Sequence, residues 1–348
     1  MTLPPLSLYG EARWSELVER VLARSWHVVA SIDELPEEAL VARTLLPGVL
    51  DEPLLLGRID GGVRGWSAVC THRAAVLEPH GEGARCPYHG RRFTGAGRCV
   101  TAPGFERPGE TDHLRPVSIA TLGPLVFAAI APAMPFTALF PEERLAWLPA
   151  LPVLSDPLGE ASFEVDAHFL LYVENYLEGL HVPFVHPGLS AALDLGDYRV
   201  EPAGWSSLQL GVAREGGPSL HGPDGAIAAA WVGLFCTTML NHYPWGLSVN
   251  IVEPLGAGRT RIRYRRWVRD PALLEQGAGG ALEQVEREDG AIVARVQRGA
   301  RSRLARPGRY APRWEDGLRH FHQRLAELLE TPEKMVASVG LEPTTPRL

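Results

Sequence analysis

The chain has 348 residues, of which 45% are hydrophobic and 22% charged, a balance that excludes disorder, collagen and coiled coil as whole-chain descriptions and predicts a soluble protein of about two domains. Acidic residues outnumber basic ones by 41 to 34 for a net charge of −7, and Lys334 is the only lysine, which argues against a broad nucleic-acid-binding surface. Four cysteines are too few for a disulfide scaffold, and 36 glycines with 30 prolines indicate a turn-rich, partly β architecture rather than a helical bundle.

Residues 1–10 carry neither a basic stretch nor a long apolar run, so no secretory signal is expected and the default location is cytoplasmic. Trp14, Leu17, Val18, Val21 and Leu22 recur at helical spacing and predict an amphipathic helix over 11–27. From about Val41 to Ile130 short β-type runs alternate with Gly-rich turns, as in Pro53 to Ile59 followed by Asp60-Gly61-Gly62, which suits a small antiparallel domain. Val117 to Pro141 is uncharged for 25 residues, but Pro124, Pro132 and Pro135 divide it. Ala120 to Ile130 is therefore predicted as a buried strand, and no membrane span is expected. Six prolines between Pro132 and Pro157 mark a linker. Beyond it, Ser162–Phe169 is predicted as a strand and Tyr172–His181 as a helix stopped by Pro183. Strands follow over 205–268, notably Thr237–Ile251 and Thr260–Val268, and helices close the chain around 281–304 and 314–330. The polar tail after Thr331 is predicted to be disordered.

Two short turns carry the first chemistry. Cys70-Thr71-His72 and Cys86-Pro87-Tyr88-His89 each present one thiol and one imidazole, with 13 residues between His72 and Cys86. Two Cys and two His also satisfy a structural zinc ion, but zinc motifs usually pair Cys with Cys and His with His along the chain. One of each per loop suits a two-metal cluster clasped by two loops, with both thiolates on one iron and both imidazoles on the other. Cys99 and Cys236 match no ligand position and read as small buried apolar side chains.

The second constellation has no thiol. His181 and His186 are five residues apart, about 140° around an ideal helix, and share a metal only if Pro183 ends the helix near His181 and the next turn brings His186 back. Glu178 lies three residues before His181, on the same helical face if the helix persists. In the helix from 281, Leu282, Val285, Ile292, Val293, Val296 and Ala300 form an apolar stripe with Asp289 near its centre. A carboxylate facing the core must pair with a cation, accept several hydrogen bonds or bind metal, and an internal salt bridge to an arginine is the plain alternative. Together His181, His186 and Asp289 would form a two-His, one-carboxylate face for Fe(II).

These residues carry a family resemblance. Val69-Cys70-Thr71-His72-Arg73 and Cys86-Pro87-Tyr88-His89-Gly90 resemble the cluster loops of Rieske domains, and Glu174 to Pro187 resembles the mononuclear iron motif of Rieske-type non-haem iron oxygenase alpha subunits. Leu240 to Gly246, and the run from Glu288-Asp289 to Val296-Gln297-Arg298-Gly299, are similar to segments of the choline monooxygenase-like branch. The resemblance covers roughly residues 5–330. It departs at a shortened gap between the loops, at Ala74 where Gly is common, and at Arg91 where many members have Trp.

The resemblance implies an α+β fold: a small antiparallel β Rieske domain plus a larger catalytic domain with an antiparallel sheet and packed helices of the helix-grip type. The expected division is an N-terminal helical segment (1–40) packing with the catalytic domain, a Rieske domain (41–131), a linker (132–160), a catalytic domain (161–330) and the tail (331–348). It implies a [2Fe-2S] cluster on Cys70, His72, Cys86 and His89, and Fe(II) on His181, His186 and Asp289. It places Asn175 close to the iron, and Glu178 as a bridge from His181 to His89 of a neighbouring subunit in a homotrimer. The implied reaction uses O2 and electrons from a ferredoxin or flavin reductase to hydroxylate or N-demethylate a small organic substrate. No nicotinamide or flavin fingerprint occurs, so NAD(P)H would act only through that reductase. A quaternary ammonium substrate suits the branch, and Trp231, Phe235, Tyr243 and Trp245 either offer π faces to such a cation or pack as core aromatics. The alternatives are an arene dioxygenase and a non-catalytic Rieske electron carrier; three irons per chain against two separates the oxygenases from the carrier.

Overall fold

The computed structural model describes residues 2–140, 146–149, 160–222 and 225–330. The fold is α+β, as expected. The first helix, α1 (Glu11–Arg20), is shorter than its periodicity suggests, and His27–Ser31 forms a strand, β1. The expected helical segment 1–40 is thus part helix and part sheet: β1 pairs antiparallel with Leu125–Ala129, because its Val-Val-Ala run suits a pleated surface.

In chain order the next strands are β2 (Val41–Leu45), β3 (Glu52–Ile59), β4 (Gly62–Ser67), β5 (Glu78–His80), β6 (Gly83–Arg85), β7 (Arg92–Phe93) and β8 (Cys99–Thr101). They make a three-stranded sheet β2-β3-β4 and a four-stranded sheet β5-β6-β7-β8, all antiparallel. The β3-β4 turn places Asp60 at φ 52° and Gly61 at φ 72°, the left-handed pair that lets two strands reverse within two residues. The single strand expected over 120–130 is a hairpin, β9 (Ser118–Leu122) and β10 (Leu125–Ala129), turned at Gly123-Pro124. Proline cannot continue a ladder there, and Gly123 takes φ 53°.

A short helix α2 (Phe136–Leu139) follows. Parts of the expected linker, 141–145 and 150–159, and the tail 331–348 lie outside the described residues. The larger sheet has eight strands. Its main path runs β11 (Glu160–Val165), β18 (Thr260–Val268), β17 (Gly246–Pro254), β16 (Thr238–Tyr243), β15 (Gly225–Leu234), β13 (Ser206–Ala213) and β12 (Leu193–Ala203), with β14 (Leu220–Gly222) paired to β15. Strand β12 was not anticipated, and the long strand expected over 237–251 is the β16-β17 hairpin, because Pro244 and Gly246 break the run.

Five helices complete the described chain: α3 (Phe169–Tyr176), α4 (Val182–Val185), α5 (Pro187–Ala192), α6 (Leu282–Ala300) and α7 (Asp316–Glu330). Helix α3 buries Phe169, Leu170, Leu171, Tyr172 and Val173, apolar around its circumference as an interior helix must be. It is fastened to α6 by the His168 N–H donating to Gln297 Oε1 (2.7 Å), Tyr172 Oη donating to Glu286 (2.5 Å) and Asn175 Nδ2 donating to Asp289 Oδ1 (2.6 Å). One continuous core joins Leu17 of α1, Phe127 of β10, α3 and the large sheet, whereas Cys70, Cys86 and Cys99 belong to a separate small core. No described helix is long and apolar enough to cross a membrane.

Candidate active site

The two Cys-His turns are conformational copies. In one, the Cys70 N–H donates to Ala75 O (2.9 Å) and the Ala74 N–H to Cys70 O (3.0 Å); in the other, the Cys86 N–H donates to Arg91 O (2.8 Å) and the Gly90 N–H to Cys86 O (3.1 Å). The closing residue is left-handed in both, Ala74 at φ 55° and Gly90 at φ 73°. That explains why glycine is common at the first position; alanine adopts this conformation at a cost of about 1–2 kcal/mol.

Cys70 and Cys86 are buried and unbridged, close enough for each thiol to act on the other's ionisation. Burial opposes ionisation of the Cys86 thiol, but the backbone N–H groups of His89 and Tyr88, the Cys70 thiol and the Arg91 charge together hold it below its usual range. The His72 and His89 rings lie 4.7 Å apart at the tip, and His89 Nδ1 is buried with no partner, an orphan that a metal bond satisfies. Among the described residues the four donors are not a set gathered within 4.8 Å.

Arg91 is the unusual member of this end. Its side chain is buried, donating from Nη1 to Asp112 Oδ1 (2.6 Å) and Thr71 Oγ1 (3.1 Å), and its guanidinium lies 5.0 Å from the Phe105 ring centre. A cation from the second loop thereby braces the first. Cys99 and Cys236 are buried, Cys99 in the small core shared with Cys70 and Cys86, and their thiols meet Thr101 O and Ser25 Oγ at 3.6 Å each, as expected of core thiols.

In the larger domain the helix that was expected to run to His181 ends at Tyr176. Gly179 allows the break, since a Cβ there would stand 2.5 Å from the Tyr198 ring. Pro183 does not stop a helix but starts α4, just after His181 at its N-cap, and His186 follows its last turn. The outcome is the one the spacing required: His181, His186 and Asp289 bring their ligand atoms within 4.8 Å of one another. Asp289 Oδ1 lies 2.9 Å from His186 Nε2 and 3.7 Å from His181 Nε2, and Asn175 fixes the same oxygen.

Each imidazole is held from behind by a carboxylate. His181 Nδ1 meets Glu178 Oε1 at 2.6 Å and His186 Nδ1 meets Glu288 Oε2 at 2.7 Å, so both Nε2 atoms are presented inward, the usual second support of a metal-bound histidine. Burial pulls the His186 imidazole down, but the Asp289 and Glu288 carboxylates outweigh it and hold its pKa above the ordinary value. A site that stabilises positive charge on its own imidazole fits a divalent cation. Glu178 is not on a helical face, as expected, but in the turn. Its second oxygen, the one a bridge to a neighbouring His89 would use, accepts the backbone N–H groups of Leu180 and His181.

The three candidate ligands line one cavity. Trp231 and Tyr243 line it, with Trp231 Nε1 donating to Tyr243 Oη at 3.2 Å. Phe235 and Trp245 do not line it. Phe235 lies past the end of β15 against Phe321, and Trp245 is fully buried behind Tyr243, its Nε1 donating to Gly279 O. In the stripe of α6, Val293 and Gln297 are buried while Val296 is exposed, so the inward face runs through Leu282, Glu286, Asp289 and Val293. Glu286 lines the cavity and was missed. The test that singled out Asp289, a carboxylate on the buried face, would have found it. Glu288 left no such signal, since its role depends on where His186 is carried.

Two family models match adjoining parts of the chain: the Rieske [2Fe-2S] domain over residues 25–121 and the ring hydroxylating alpha subunit (catalytic domain) over 160–331. The chain belongs to the Rieske oxygenase alpha subunits. It is 29% identical to the chloroplastic choline monooxygenase of Arabidopsis thaliana, over 92% of this chain and 81% of that one. It is also 29% identical to the carnitine monooxygenase oxygenase subunit of Escherichia coli K12, over 94% of each. Its fold is similar to that of a quaternary ammonium Rieske monooxygenase solved with L-carnitine, at a TM-score of 0.72 and 21% identity, covering 94% of this chain and 95% of that one. As a Rieske oxygenase alpha subunit the chain carries a [2Fe-2S] cluster and a mononuclear iron, takes electrons from a reductase or ferredoxin, and acts with O2 on a small molecule.

Proposed function

We propose that Cys70, His72, Cys86 and His89 hold the cluster, that His181, His186 and Asp289 hold the mononuclear iron, and that the substrate is a small organic compound with a cationic nitrogen, hydroxylated or N-demethylated at a carbon near it. The observation that carries this reading is the convergence of two Nε2 atoms and one carboxylate oxygen on a cavity that also presents the Trp231 and Tyr243 rings. The curated relatives named above act on choline and carnitine, which agrees with it. The chain divides in this reading into a cluster-bearing part, a linker over 132–160 and a catalytic part from about 161.

Iron held by His181, His186 and Asp289 would supply oxygen activation, with electrons from the cluster. The chain does the rest. Glu178 and Glu288 fix the imidazole tautomers, and Asn175 orients the Asp289 carboxylate by a 2.6 Å hydrogen bond. Trp231 and Tyr243 would wall a bound substrate off from water.

The assembly we propose is a homotrimer in which His89 of one subunit approaches Glu178 of the next. The rim around His72 and His89 exposes Tyr88 and Phe105, apolar surface suited to burial against another chain. Since Glu178 Oε2 already serves two backbone N–H groups, a neighbouring imidazole would replace one of them. The test mixes inactive Cys86→Ala and His181→Ala chains by co-expression and follows formaldehyde and hydroxylated product with betaines, carnitine, choline and arenes. Regained activity in the mixture supports transfer between subunits, and a mixture as inactive as its parents refutes it. Turnover of arenes alone would favour ring hydroxylation over the cationic reading. Two irons per chain in place of three would leave a non-catalytic electron carrier.

A further inference from the structure

Beside the iron face lies a half-buried carboxylate that the iron chemistry does not need. Glu286 lies one helical turn before Asp289 on α6 and lines the same cavity. Its two oxygens are met only by donors: Tyr172 Oη gives a 2.5 Å bond to Oε2 and Asn250 Nδ2 a 2.6 Å bond to Oε1. Behind Asn250 the donors continue to point the same way. Tyr176 Oη donates to Asn241 Oδ1 (2.9 Å), and Asn241 Nδ2 donates to Asn250 Oδ1 (3.1 Å). A hydrogen-bond chain aimed at one acceptor is built to hold an anion at its end.

Of the imidazoles that line the cavity, His186 is already paired with Asp289 and Glu288. No lysine or arginine lines the cavity among the described residues, while Glu178 and Asp289 line it together with Glu286. The aromatic rings of Tyr176, Trp231 and Tyr243 complete the wall. Burial and the nearby Asp289 charge push the Glu286 carboxyl up to about 7, so in the free cavity the anion is held against a cost, which a bound cation would relieve.

We infer that Glu286 is the specificity-determining anion of the substrate cavity, pairing with an ammonium head group of a substrate that has no carboxylate of its own. This rests on the cationic-substrate reading above and narrows it. A zwitterion such as carnitine would bring its carboxylate into a cavity lined by acids, with no lysine or arginine among the described residues to receive it, whereas an amine or amino alcohol would not.

The test compares binding to the iron-loaded, cluster-intact protein by titration calorimetry, using choline, putrescine, carnitine and the uncharged choline isostere 3,3-dimethylbutan-1-ol. Wild-type protein is expected to bind choline or putrescine at least tenfold more tightly than either carnitine or the isostere. Glu286→Gln keeps both hydrogen-bond partners in reach and removes the charge; it is expected to weaken the cation by about tenfold or more and to change the isostere by less than twofold. Glu286→Asp, which restores charge on a shorter side chain, should recover part of the preference, whereas a purely structural role would leave Gln the better substitute. If wild-type protein prefers choline or putrescine but Glu286→Gln binds it equally well, the role of Glu286 is overturned while the substrate reading stands. If carnitine binds as tightly as choline, the exclusion of zwitterions is overturned. If wild-type protein binds none of the cations and takes up uncharged arenes instead, the substrate reading itself fails.

Discussion

Glu288 holds His186 from behind: its Oε2 lies 2.7 Å from His186 Nδ1, and that single contact turns Nε2 of a buried imidazole toward Asp289. Glu288 is adjacent to Asp289 in sequence, yet the two carboxylates serve opposite sides of one ring. Loss of such a support typically lowers metal affinity 10–100-fold. Glu288→Ala should therefore weaken iron by about that factor in chelator competition, while Glu288→Gln, whose amide oxygen can still accept from Nδ1–H, should lose less. Equal iron retention in wild type and Glu288→Ala would show that packing alone orients His186.

Asp289→Ala removes the one carboxylate oxygen shared by His181, His186 and Asn175. The expected product is a folded, red-brown protein whose iron content drops from three to two per chain, since about one ligand in three is gone from the mononuclear site and none from the cluster. Metal analysis together with the low-average-g signal of the reduced cluster reads both halves of this prediction, and a variant retaining three irons refutes the assignment of Asp289.

The buried Arg91 and its partner Asp112 should act on the cluster with opposite signs. A fixed positive charge beside a redox centre favours the reduced, more negative state, and Arg91 is bonded into both cluster loops. Arg91→Gln should lower the midpoint potential of the cluster. Asp112→Asn, which leaves the guanidinium uncompensated, should raise it. Protein-film voltammetry measures each shift, and two shifts of the same sign would locate the effect in loop distortion rather than charge.

Stability should fall in mild acid because of His27. It sits between the Leu22 carbonyl (2.7 Å from Nε2) and Thr237 Oγ1 (2.9 Å from Nδ1), and burial lowers its pKa from 6.5 to about 4. The unfolded chain takes up a proton near pH 6.5 and the fold does not until about pH 4. The stability His27 permits is therefore complete above pH 6.5 and is lost as pH falls toward 4, by about 2 kcal/mol between pH 7 and 5. His168 and His242, lowered to about 3 and about 4 by burial, act in the same direction. Denaturant unfolding at pH 7 and pH 5 should show the loss in wild type and a smaller loss in His27→Gln.

The candidate ligands stood out in the sequence because their pattern is local. Cys-x-His and Cys-x-x-His each mark a short turn, and both turns close with the same pair of backbone hydrogen bonds. Asp289 was legible because a carboxylate amid apolar residues on one helix face is a rule broken for a reason. What the sequence left open was decided by contacts between elements far apart in the chain. The end of α3 depends on Gly179 meeting Tyr198, the pose of His186 on Glu288, and the fate of four aromatics on which strand and turn carry them, with Trp231 and Tyr243 reaching the cavity while Phe235 and Trp245 pack behind it. Residue type and spacing fix which chemistry a chain can perform; burial and hydrogen bonding across more than a hundred residues of chain, as between His186 and Glu288, decide which atoms are turned toward it.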